Sequence, residues 1–221
     1  MKSNRIVDLS YRISEDMVVY PGMERPVFQW IYRINSEGAN LTKMGMMAHT
    51  GTHVDSPKHF LEDSPSIDEV SLERLCGRAR LFRFDQVPAG QEICLADVRK
   101  NGFDIEAGDI FVLATGIEGY AETPEYNRKF PLPADDLLEW LVQKKIAAYM
   151  TDAPAIDPVN TKDSSKHHLV LGAGIPIVEN LRNLELLPND RYFVIFALPI
   201  KLGGREGAPC RAVAFPDMER L

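Results

Sequence analysis

Two stretches, Ile110-Phe111-Val112-Leu113 and Tyr192-Phe193-Val194-Ile195-Phe196-Ala197, are apolar or aromatic at every position. A strand with one face in water alternates apolar and polar residues, so unbroken runs of this length fit strands buried on both faces. Outward from them, runs rich in β-branched and aromatic residues predict further strands at 6–9, 27–34, 81–84 and 147–150, with the two opening runs giving 110–113 and 193–197. Three helices are expected. One begins at Leu95 and stops at Gly102 as a C-terminal cap. A second covers 133–145, with Pro133 in its first turn, Asp135 and Asp136 at the positive end and Lys144-Lys145 at the other. Its apolar stripe is Leu137, Leu138, Leu141 and Val142, and Trp140 rides on it as a core or surface residue. The third covers 163–171, ending at Gly172 and Gly174. Strands outnumber helices, which predicts one α/β domain over 1–221 with a mixed, β-rich core and flanking helices. The stretch 116–130, with Tyr120, Pro124 and Tyr126, lacks periodicity and reads as a surface loop or lid.

The 221 residues fit one large domain, and a 45% hydrophobic fraction suffices for one continuous core. A formal net charge of −7 opposes a nucleic-acid partner, which needs a basic face. No apolar run approaches the ~20 residues that cross a bilayer. The basic residues near the start are not followed by an apolar stretch, so no signal peptide is expected. Cys76, Cys94 and Cys210 are far apart and form no C-x-x-C pair, which predicts reduced thiols and a cytoplasmic protein without membrane contact.

All five histidines fall in two places, His49, His53 and His59 in one motif and His167-His168 in another. The first is His49-Thr-Gly-Thr-His53-Val-Asp55-Ser-Pro-Lys-His59-Phe60. In an extended segment His53 and Asp55 leave the same face about 6.6 Å apart and can converge on one ion. His49 would lie about 13 Å from His53 in a straight strand, and a bend at Gly51 can bring it round. Three imidazoles gathered without an ion would repel one another on protonation, which favours a metal. His59 lies beyond Pro57, and a free imidazole there suits a proton shuttle. His167 sits on the third helix, and Glu179, 12 residues later, closes an apolar run where an unpaired carboxylate would be costly. This pair reads as either a second metal position or a structural contact. His168 is expected on the helix surface or behind a ligand.

These residues resemble a known family, the cyclase-like metal hydrolases that include bacterial kynurenine formamidase and isatin hydrolase. The signature H-x-G-T-H-x-D-x-P-x-H-F is matched from His49 to Phe60. Similarity continues through Val7-Asp-Leu-Ser, Tyr20-Pro-Gly, Asp152-Ala-Pro-Ala-Ile-Asp157, the stretch from His167 to Leu184, and Leu198-Pro-Ile-Lys-Leu-Gly-Gly. The resemblance implies a compact α/β fold of the swivelling β/β/α type and a homodimer whose N-terminal residues reach the partner's pocket. It implies two ions, the first on His49, His53 and Asp55 and the second on Asp55, His167 and Glu179. Asp55 and Glu179 would touch both, and His59 would be the general acid/base. Members like isatin hydrolase use one manganese with a different residue set.

The chain departs from the formamidases at Tyr20, where they carry a Trp that binds the aromatic substrate. The expected reaction is amide cleavage by metal-bound hydroxide, the ion lowering the water pKa from 15.7 to about 7. Zinc suits the mixed ligand set, with manganese next. The expected partner is a small-molecule substrate, an aryl formamide. The alternatives are a ring-opening hydrolase of a cyclic amide, imide or lactone, and a metal-binding protein without activity. Arg205 and Arg211 are candidates for a substrate carboxylate, with a solvated or structural role equally open.

Overall fold

The computed structural model describes residues 5–100, 102 and 104–220. Residues 1–4, where the signal-peptide reading begins, lie outside them. The strands are β1 (Val7–Asp8), β2 (Val27–Tyr32), β3 (Leu41–Gly45), β4 (His53–Asp55), β5 (Cys76–Arg83) and β6 (Glu92–Ile93). They continue as β7 (Ile110–Ala114), β8 (Leu132–Pro133), β9 (Ala148–Thr151), β10 (Ile177–Glu179), β11 (Phe193–Pro199) and β12 (Gly207–Phe215). The helices are α1 (Ile34–Glu37), α2 (Leu95–Lys100), α3 (Asp135–Lys144) and α4 (Ser165–Gly172).

Eight strands form one sheet in the order β1-β12-β11-β5-β7-β9-β10-β4, and a further β12–β4 pairing closes it into a barrel. The β5–β7–β9–β10 run is parallel, and the remaining pairs are antiparallel. This is the expected mixed sheet.

The unbroken apolar run of β7 is explained by two cores on its two faces. Ile110, Val112 and Ala114 join Val54, Leu75, Phe193 and Ile195 inside the barrel. Phe111 and Leu113 face outward into a second core with Leu137, Leu138 and Leu141 of α3 and Val170 and Leu171 of α4. All five residues of β7 are buried.

Several boundaries move. Helix α3 begins at Asp135, and Pro133 lies in β8 rather than in the helix's first turn, because β6 pairs with it in parallel. The strand at 27–34 ends at Tyr32, and Ile34 starts a short helix instead. Strand β12 was absent from the expectation. Its Ala-Pro-Cys-Arg-Ala-Val-Ala core is built of small residues that carry little strand signal, and partners on both sides select it. The stretch 116–130 lies at the surface, with Tyr120, Pro124 and Arg128 exposed, but it is not without structure. It forms two 3₁₀ turns and buries Ile117, Ala121, Tyr126 and Phe130 in a third apolar cluster beneath the site. Among the described residues, no helix is long and apolar enough to cross a membrane.

Candidate metal centre

Strand β4 positions the site. His53, Val54 and Asp55 alternate across it, so Val54 enters the barrel core while His53 and Asp55 share the opposite face. Strand β10 runs antiparallel beside it and sets Glu179 directly opposite His53. Cross-strand partners of this kind lie close enough to act on one another, and His53 Nε2 is 3.5 Å from Glu179 Oε2 and 3.3 Å from Asp55 Oδ1.

The bend foreseen at Gly51 is present, with φ +65°. It brings His49 back so that its ring is 4.9 Å from that of His53, and its Nδ1 is 2.8 Å from Asp55 Oδ1. Helix α4 adds His167 from the far side, its Nε2 3.4 Å from Glu179 Oε1 and 3.9 Å from Asp55 Oδ2. His59 stacks on His49 at 4.1 Å. Ligand atoms of His49, Asp55 and His59 lie within 4.8 Å of one another, as do those of His53, Asp55 and Glu179. The two sequence clusters therefore meet around Asp55. His168 is exposed on α4, beside the ring of Phe60.

Two contacts fix which imidazole nitrogens are free. The Gly51 carbonyl can only accept, so His53 Nδ1–H donates to it at 2.8 Å and Nε2 keeps its lone pair. Asp157 accepts from His167 Nδ1 at 2.6 Å and from the backbone N–H groups of His167 and Lys166. One carboxylate thus both occupies the N-terminal amides of α4 and turns His167 Nε2 toward the centre.

The donor set fits a divalent cation. Among the described residues, both oxygens of Asp55, Oε1 of Glu179 and Nε2 of His49 are buried and accept no well-formed hydrogen bond, the imidazoles of His49, His53 and His167 lying beside the carboxylates at 2.8–3.9 Å. Carboxylate oxygens so placed are costly unless a positive charge meets them. The site's own electrostatics point the same way. Burial alone would lower the His53 pKa, but the Asp55 and Glu179 carboxylates raise it to about 10. His167 is raised to about 10 against burial by Asp157, Glu179 and Asp55. Burial pushes the Asp55 carboxyl up, and the His49 and His53 charges hold it well below the usual carboxylate range. These lone pairs compete for positive charge, whether protons or a metal ion.

Beside the cluster lies a cavity of about 310 Å³, lined by Met17, Tyr20, Phe60 and Tyr126 on its apolar side. Tyr20 is half-buried there, and burial raises its hydroxyl pKa. Arg205 and Arg211 do not line it: Arg211 pairs with Asp8 at 2.7 Å and Arg205 donates to the Gly203 carbonyl. Two supporting residues had escaped the sequence reading. Asp157 showed only as the acid closing Asp-Ala-Pro-Ala-Ile-Asp. Gly207, at the start of β12, allows His49 to approach, since a Cβ there would fall 2.8 Å from His49 Cε1.

Known proteins resemble this chain in sequence and in fold. The family model described as "Putative cyclase" matches residues 7–158. A kynurenine formamidase of Salinibacter ruber is 30% identical, over 94% of this chain and 96% of its own. A solved "potential metal-dependent hydrolase with cyclase activity" is 26% identical at a TM-score of 0.81, covering 97% of this chain and 98% of its own. Isatin hydrolase A from Labrenzia aggregata shares the fold at a TM-score of 0.84 and 22% identity, over 95% of this chain and 93% of its own.

Proposed function

Because the chain belongs to the cyclase family, we propose that it is a metal-dependent amidohydrolase that removes the formyl group from an aryl formamide of the N-formylkynurenine type. It is a hydrolase of carbon–nitrogen bonds other than peptide bonds, as the full-length similarity to kynurenine formamidases supports. The observation that carries the metal is the set of buried oxygens on Asp55 and Glu179 that accept no well-formed hydrogen bond. His49, His53, Asp55, His167 and Glu179 are the ligands of this reading. Two zinc ions suit that mixture of imidazole and carboxylate, with manganese as the alternative. What a bound ion supplies is Lewis acidity, making water a better nucleophile near neutral pH and polarising the amide carbonyl.

The chain's own residues do the rest. Tyr20, Met17 and Phe60 hold the aryl ring beside the cluster and exclude water from it. Tyrosine in place of the family's tryptophan keeps a face for stacking. His59 lines the same cavity and serves as general acid/base, taking a proton and returning it to the leaving nitrogen. His59→Ala is expected to keep its metal, read by elemental analysis, and to lose about 10²–10⁴-fold in kcat. Loss of metal with unchanged activity per bound ion assigns His59 to the ligands instead.

The wider test is metal analysis of the purified protein followed by N-formylkynurenine, isatin and simple lactones as substrates. Turnover of isatin alone moves the reading to ring opening. Bound metal with no turnover on any of them leaves a metal-binding protein.

The same proposal includes a homodimer in the cytoplasm. Its support is the β2–β3 hairpin, which exposes Val27, Trp30, Ile31, Tyr32, Leu41 and Met44. A two-stranded ribbon of this kind is marginal in water unless it packs against something.

A further inference from the structure

A neutral imidazole carries one N–H and one lone pair, so a ring that gives its lone pair to a cation must place its N–H on an acceptor. Two of the ligand histidines have that acceptor close by. His53 Nδ1 donates to the Gly51 carbonyl and His167 Nδ1 to Asp157. Both rings therefore turn Nε2 toward Asp55 and Glu179.

His49 is set the other way round. Its Nδ1 lies 2.8 Å from Asp55 Oδ1, while its Nε2 is buried without a well-formed hydrogen bond. Turning the ring over would put a carbon where Nδ1 stands. Carbon–oxygen contacts settle at about 3.3 Å or more, so Asp55 fixes the orientation. The ring has little room to tilt, with His59 stacked on it at 4.1 Å and Gly207 pressed close to Cε1 and Nε2.

The carboxylate on the Nε2 side is Glu206, with Oε1 3.6 Å away. That is just beyond hydrogen-bond length, and a side chain 41% exposed is free to swing the remaining distance. Its backbone, by contrast, is tied to the strand that carries the ligands. The Glu206 carbonyl accepts from Ser56 N–H at 2.9 Å and from the Ser56 hydroxyl at 2.8 Å, and the next residue, Gly207, pairs with Asp55. Glu206 is not among the described residues that line the reaction cavity, so it reaches the chemistry only through His49.

We propose that Glu206 is a positioning residue of the metal centre. It accepts from His49 Nε2–H and thereby commits His49 to ligate through Nδ1, opposite in sense to His53 and His167. A carboxylate behind a ligand histidine fixes its tautomer and its direction and strengthens its lone pair. This rests on the metal reading of the site and adds which atom of His49 serves it.

The test competes the zinc-loaded protein against a chelating dye. Glu206→Ala is expected to hold zinc about 10–100-fold more weakly than the wild type. Glu139→Ala, which removes an exposed charge from α3, controls for net charge and should bind as the wild type does. Unchanged affinity in Glu206→Ala, or an equal fall in Glu139→Ala, overturns the role. Proton–nitrogen spectra of the zinc-loaded, histidine-labelled wild type separate positioning from a general loss of structure. His49 is expected to carry its proton on Nε2 and zinc on Nδ1, the reverse of His53 and His167, and the Nε2 proton signal should be lost to exchange in Glu206→Ala. Zinc on Nε2 of His49 overturns the assignment. If Glu206→Ala fails to fold by circular dichroism, Glu206→Gln, of the same shape, is held to a fall of about threefold or more. If the wild type binds neither zinc nor manganese, the metal reading itself fails and this role falls with it. Wild-type binding that Glu206→Ala leaves intact removes Glu206 alone.

Discussion

At the scale of single residues, Asp157 and Glu118 show how burial turns carboxylates to different ends. Asp157 accepts from two backbone amides and from His167 Nδ1, which orients His167 Nε2 toward Asp55 and Glu179. Asp157→Asn keeps the shape but can present an amide where His167 Nδ1–H needs an acceptor. Metal affinity, measured by competition with a chelating dye, is expected to weaken about 10–100-fold, the usual effect of losing such a partner. Glu118 lies away from the metal centre. Burial, a neighbouring Glu185 and the charge of Asp152 raise its pKa from the usual glutamate value to about 8, while it accepts from Asn183 N–H. A carboxyl raised on folding binds its proton more tightly in the folded state than in the unfolded one. Its contribution is therefore fully present below the unfolded value and is lost as pH climbs toward 8. Urea midpoints measured from pH 5 to pH 8 should fall across that window, and Glu118→Gln should flatten the decline.

At the scale of elements, the site depends on how closely β12 and the His49 turn approach β4. Gly207 pairs with Asp55 across the β12–β4 ladder, and an added methyl would sit 2.8 Å from His49 Cε1 and 2.9 Å from the Val54 carbonyl. The carbonyl is backbone and cannot swing aside, so Gly207→Ala forces the strands or the ring to shift. Overpacking of this kind costs about 1–3 kcal/mol. The variant is expected to unfold at lower denaturant and to hold less metal per chain. Full metal content with wild-type stability would show that the approach is looser than the geometry indicates. Element types were well marked in the sequence wherever the pattern was strong. The stripe Leu137, Leu138 and Leu141 gave α3, and the runs at 110–113 and 193–197 gave buried strands. β12 and the 3₁₀ turns near Tyr126 left no such mark, because their stability comes from neighbours rather than from local periodicity.

At the scale of the whole molecule, the β2–β3 hairpin holds a cluster of exposed large apolar side chains outside the closed barrel, Val27, Trp30, Ile31, Tyr32, Leu41 and Met44. The proposed homodimer makes a direct prediction. Replacing Trp30 and Ile31 by Ser should shift the sedimentation coefficient from dimer toward monomer, while an unchanged coefficient would place the interface elsewhere. The sequence by itself determined the types of the candidate ligands, the bend at Gly51 and the alternation that sends His53 and Asp55 one way and Val54 the other. These are consequences of chain geometry within a few residues. Only the tertiary structure decided that β10 places Glu179 opposite His53, that α4 brings His167 within 4 Å of Asp55, and that Asp157 and Gly207 support them. Those contacts join residues from ten to more than a hundred and fifty positions apart, and tertiary packing around a closed barrel brings them together where local spacing cannot.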